Sequence, residues 1–120
     1  MIVKTLRAVA LCLFDGTATA QERPDATAQG MQATAADTAR VTAIKNRCPV
    51  HIGIDVGFTE DLQRALIADG IRQGGKEPFL QIVKSEQGRL RTEIDAFDVT
   101  AWCRRQKGLL GKSFPDVFRP

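Results

Sequence analysis

Val50-His51-Ile52-Gly53-Ile54-Asp55-Val56, residues 50–56, is the stretch on which the reading of the fold turns. Val50, Ile52, Ile54 and Val56 are all β-branched and alternate with His51, Gly53 and Asp55, so an extended chain would put the two sets on opposite faces. Period two with β-branched side chains predicts a strand. On its upstream side, Asp37 or Thr38 is positioned to cap a helix through Val41 and Ile44 to Arg47, and Pro49 then forces the chain out of helical geometry.

Downstream, Gly57 breaks the strand and Thr59 serves as an N-cap, with Glu60 and Asp61 where a helix dipole favours negative charge. A helix over about 60–73 follows, its apolar stripe carried by Leu62, Ala65 and Leu66, and Gly74-Gly75 ends it. Phe79 to Val83 is a second apolar run, and Leu90, Thr92, Ile94 and Ala96 alternate with Arg89, Arg91, Glu93 and Asp95. With Ser85-Glu86-Gln87-Gly88 as a turn between them, these two runs read as a β-hairpin. Asp98 caps a last helix carrying Val99, Ala101, Trp102 and Cys103, which Gly108 and Gly111 weaken. The order helix, strand, helix, strand, strand, helix predicts a small α+β domain of two layers. Its three-stranded, largely antiparallel sheet would be covered by helices and closed by one disulfide.

The chain has 120 residues. Its first twenty, MIVKTLRAVALCLFDGTATA, carry the parts of a cleavable export signal: Lys4 and Arg7, a short apolar run from Ala8 to Phe14, and small residues at Ala18-Thr19-Ala20. The run is too short for a bilayer span, which takes roughly twenty apolar residues. Leu11 before Cys12 argues against a lipid-attachment cysteine, and an ordinary N-terminal helix is the competing reading. Residues 21–36, rich in Ala, Thr and Gln, lack the large apolar side chains needed to order themselves and read as a flexible linker. Residues 37–120 are then the α+β domain, large enough for a single core.

Two of the 17 Lys and Arg and one of the 14 Asp and Glu fall in the signal, leaving an excess of only two positive charges in the mature chain. That balance, despite a sequence pI near 9.0, is no nucleic-acid signature, which would show a dense basic patch. The expected location is periplasmic or secreted. Cleavage would remove Cys12 and leave Cys48 and Cys103, an even pair expected to form a structural disulfide in an oxidising compartment. Free or buried thiols are one other reading, and a redox-active or metal-binding pair is another, which the lack of a C-x-x-C disfavours. Zinc-type spacing is absent, and no cofactor or metal is expected.

Candidate chemistry is sparse. His51 is the sole histidine and would share a strand face with Asp55, which makes a general base with an orienting carboxylate conceivable for a small hydrolase or isomerase. A nucleophile would have to come from Ser85, Thr92 or Thr100, and none sits in a nucleophile elbow. Glu93, Asp95 and Asp98 offer a ligand or metal-ion carrier, although Arg89 and Arg91 on the same face favour a solvated charge ladder. Gly74-Gly75-Lys76 closes a helix instead of opening one, so it is no phosphate loop. The distinctive surface is C-terminal: Trp102, Arg104, Arg105 and Lys107, basic groups beside an aromatic. They fit another envelope or secreted protein, an anionic membrane surface or a polysaccharide. The function these features favour is an exported, disulfide-stapled binding or accessory protein, with an inhibitor or immunity-type protein as one version.

Overall fold

The structure is a computed structural model that describes residues 17–119, with side chains described from Gln29 onward. It overturns the α+β expectation. Among the described residues, four helices, α1 (Thr17–Arg47), α2 (Val56–Gly74), α3 (Lys76–Asp95) and α4 (Val99–Leu110), are followed by a short 3-10 turn, Pro115–Val117. No strand or sheet occurs among the described residues. The chain divides at Gly30 and Met31, and the packing below concerns residues 31–119.

The supposed strand at 50–56 is a turn and a helix start. The chain curls back after Cys48, whose carbonyl accepts from the backbone N–H of both His51 and Ile52 at 2.8 and 2.9 Å. Asp55 then caps α2, its side chain accepting from the Phe58 N–H at 2.9 Å, and helical geometry begins at Val56. Val50 is 88% exposed while Ile54 is buried, so the alternation never became a face. Only Ile54 pairs in the β manner, in an isolated antiparallel bridge to Phe118. The bonds run from Asp55 N–H to the Val117 carbonyl and from Arg119 N–H to the Gly53 carbonyl. Thr59, expected as the cap, lies one turn inside α2 and is fully buried, its hydroxyl donating to the Asp55 carbonyl.

The expected hairpin is instead one continuous helix, α3. Phe79, Val83, Leu90 and Ile94 are its buried residues, four, seven and four positions apart, which is one face at 3.6 residues per turn. Ser85-Glu86-Gln87-Gly88 simply runs through on this helix, and a Cβ at Gly88 would meet nothing within 4 Å. The junction between α2 and α3 needs a glycine for its backbone conformation: Gly75 has φ +91°, a region side chains avoid. Folding back there brings Gly70 against Phe79, where a Cβ on Gly70 would lie 1.9 Å from the ring.

Helix α1 is the common axis. Thr34 and Thr42 accept from Gln73 and Gln63 of α2, a pairing order that makes α1 and α2 antiparallel. Gln32 and Arg40 reach Glu86 and Glu93 of α3, so α1 and α3 run the same way. Arg40 also reaches Gln106, and Cys48 is bonded to Cys103, so α4 runs back along α1. Small side chains let these helices approach: Ala35 and Ala39 are fully buried together with Val41 and Ile44. Residues 21–36, expected as a linker, thus lie within α1. The expected signal over 1–20 falls on residues 1–16, outside the described part, and on the first turn of α1.

The expected disulfide is present: Cys48 and Cys103 are joined with Cα atoms 5.6 Å apart, and both are fully buried. Closing a loop of this separation contributes roughly 4 kcal/mol on the chain-entropy account.

Candidate functional site

Helix α4 has two unlike sides. Trp102, Cys103, Gln106 and Leu110, spaced for one helical face, are buried. Arg104, Arg105, Lys107 and Leu109 occupy the rest and are exposed. Asp98 starts the helix as expected, its carboxylate accepting from the Ala101 N–H at 3.1 Å.

What fixes the rotation of α4 is a polar cluster on its inner side. The Trp102 indole N–H donates to Glu93 at 2.8 Å, and Arg40 donates to the Gln106 side-chain carbonyl at 2.5 Å and to Glu93 at 3.5 Å. Gln106, fully buried, returns a bond from its amide to the Trp102 carbonyl at 3.3 Å. Burying such groups is tolerable only when they are hydrogen-bonded, and each of these has a partner. The Trp102 bond, with the charges of Arg40 and Arg105, holds the Glu93 carboxyl below the usual carboxylate range against the opposing effect of burial. Trp102 is only 1% exposed, so it anchors α4 and leaves surface contact to its neighbours.

The outer side is basic and partly apolar. The Arg105 guanidinium lies 5.4 Å from the centroid of Phe97, which is 48% exposed, and Leu109 is 56% exposed. The arginines of α2, Arg64 and Arg72, are each neutralised by an aspartate three residues before them. Arg104, Arg105, Lys107 and Lys112 have no salt bridge among the described residues. This face offers a positive field with two apolar contacts, suited to an anionic surface.

His51 and Asp55 are committed to different partners. Asp55 caps α2, while His51 Nδ1 sits 2.8 Å from the hydroxyl of Thr100. His51 is exposed and is not among the residues lining the groove between α1 and α3. The contact ties the 48–55 turn to the start of α4 beside the disulfide. Of the other nucleophile candidates, Ser85 is exposed on α3 and Thr92 donates to the Gly88 carbonyl. Glu93, Asp95 and Asp98 also part company: the first faces Trp102, the second is exposed and the third is a cap. No group of three or more potential metal ligands occurs among the described residues.

One feature escaped the sequence entirely, a groove of about 200 Å³ between α1 and α3 with Arg47 and Arg91 among its lining residues. The helical spacing of Gln87, Leu90, Arg91 and Ile94 would have pointed to it, but an alternating pattern at 90–96 conceals that spacing. No described helix is long and apolar enough to cross a membrane.

No family model, no curated protein and no solved structure matches the chain. Function therefore rests on the surface chemistry of these helices alone.

Proposed function

We propose that this protein is a small, disulfide-locked helical binding module of an oxidising compartment, periplasmic or secreted, and that it acts by contact with an acidic face of another protein. The observation that carries the reading is the outer side of α4. There Arg104, Arg105 and Lys107 form no salt bridge among the described residues and stand beside exposed Phe97 and Leu109, while the polar cluster beneath holds the helix in one orientation. Exposed aromatic and aliphatic groups beside cations free of salt bridges supply both contact area and steering for a negatively charged partner. The signal-like N-terminus and the Cys48–Cys103 bond support the compartment.

Immobilised mature protein tests the contact. In envelope extracts it should retain a protein in a salt-sensitive manner, and the Arg104→Glu/Arg105→Glu/Lys107→Glu variant, melting at the same temperature, should not. Retention unchanged by the reversal would sink the reading, as would binding only to anionic vesicles or polysaccharide. Intact mass from an exporting host tests the compartment: a chain starting at Gln21, two hydrogens light and inert to alkylation, is expected. A full-length chain with three alkylated thiols would overturn that part.

A further inference from the structure

The groove between α1 and α3 lies apart from the outer face of α4, and its lining has a composition of its own. Its apolar part is made by Ala39 and Ala43 of α1 with Leu90 and Ile94 of α3. Ala39 is fully buried and Leu90 and Ile94 are 2% and 4% exposed, so Ala43 and the edges of the leucine and isoleucine are what face the opening of about 200 Å³. Thr42, also in the lining, is already satisfied, donating to the Thr38 carbonyl and accepting from Gln63.

The polar part is Asn46, Arg47, Gln87 and Arg91. None of these four side chains has a hydrogen-bond or salt-bridge partner among the described residues. This sets the two arginines apart. Of the described arginines on α1, α2 and α3, Arg40, Arg64, Arg72 and Arg89 each pair with a carboxylate. Arg47 and Arg91 do not, and both line the same groove, which contains no acidic residue.

We infer that this groove binds a small aliphatic carboxylate, with the hydrocarbon against Ala43 and the edges of Leu90 and Ile94 and the carboxylate held by Arg47 and Arg91. Guanidinium groups present planar forks of donors that match a carboxylate, and the Asn46 and Gln87 amides can donate to its remaining lone pairs. The apolar floor rewards a short chain and gives nothing to acetate. The volume is below the roughly 300–1,000 Å³ of pockets for drug-sized ligands, which limits the occupant to a small molecule. This inference does not rest on the proposed role of α4.

Octanoate is the probe, titrated into the full disulfide-bonded chain and followed by amide chemical shifts. Saturable binding with shifts centred on residues 39–47 and 87–94 is expected. Octanol, which keeps the chain but loses the charge, and acetate, which keeps the charge but loses the chain, should each bind about tenfold more weakly or worse. Arg47→Gln/Arg91→Gln removes no internal partner, so the fold should survive, as its melting temperature will show, while octanoate affinity falls by about tenfold or more. Ala43→Leu fills the groove and should abolish binding. Arg104→Gln, on α4, should leave octanoate binding unchanged. Equal binding of octanol and octanoate, affinity unchanged in the double arginine variant, or no saturable octanoate binding would each overturn the inference.

Discussion

Asp37 and Glu93 are both carboxylates near Arg40, and they stand on opposite sides of the electrostatic balance. Asp37 is half-buried, and burial raises its pKa more than the positive charge of Arg40 lowers it. Glu93 is lowered by the Trp102 hydrogen bond and by Arg40. Their pH dependences must therefore have opposite signs. The folded pKa of Glu93 lies below its unfolded value, so its stabilising contribution is complete above the unfolded value and is lost as pH falls through the folded one. For Asp37 the folded pKa lies above the unfolded value, so its cost is absent at low pH and complete once pH exceeds the folded value. Glu93→Gln should lower the melting temperature at pH 7 and converge on the wild type in acid. Asp37→Asn should raise it at pH 7 and also converge in acid. Thermal melts across pH 3 to 7 check both, and two shifts of the same sign at pH 7 would contradict the assignment. At this scale the sequence was legible where the chemistry is local, as with Asp98 as a cap and Gly74-Gly75 as a stop, and where a scarce residue type leaves one pairing after Cys12 is set aside, as with Cys48 and Cys103. Glu93 was not, because Arg40, the partner that reaches it from α1, is distant along the chain and no local rule connects them.

At the scale of elements, α3 carries the main lesson. Phe79, Leu80, Ile82 and Val83 satisfy a strand and a helix equally well, and Leu90, Thr92, Ile94 and Ala96 happen to alternate. The deciding signal lies across the break: residues 79, 83, 90 and 94 share one helical face, and the intervening Ser85 to Gly88 contains neither Pro nor a two-glycine turn. Long-range phase outweighed local alternation. Gly88 distinguishes the two structures experimentally. In a helix interior with open space at its Cβ, Gly88→Ala should stabilise the protein by about 0.5–1 kcal/mol in urea denaturation, whereas a hairpin glycine would make the same change destabilising. Gly70 has the opposite character. A Cβ there collides with the Phe79 ring, so Gly70→Ala should cost about 1–3 kcal/mol, and Phe79→Leu should recover part of that loss in a double-mutant cycle. Additive effects would show that α2 and α3 do not meet at these residues. Residues 50–56 misled for a similar reason: Asp55 spends its side chain on the Phe58 N–H, and a good cap followed by Val56 and the residues of α2 outweighs a short run of β-branched residues.

At the scale of the molecule, the four helices among the described residues share a core in which Trp102, Phe79, Ile44 and Leu90 are the largest apolar contributors. A core of this size gives limited stability, and the Cys48–Cys103 bond should account for a large share of it. Cys48→Ser/Cys103→Ser should lower unfolding stability by roughly 4 kcal/mol, read from the urea midpoint at unchanged slope. A loss below about 1 kcal/mol would mean that helix packing alone holds the chain. The groove between α1 and α3 also belongs to this scale, since it exists only once two segments far apart in sequence lie side by side, and the strand reading at 90–96 hid half of its lining.

The sulfur bridge also sets how the molecule carries load. Residues 48–103 form a covalent ring, with α2 and α3 wholly inside it, α1 entering it and α4 leaving it. A pull on the outer face of α4 therefore passes from Cys103 straight into the end of α1, and α2 and α3 bear none of the tension along their backbones. A protease that nicks the chain anywhere within the ring leaves the two pieces tethered, so the basic face stays attached to α1 until a reductant arrives.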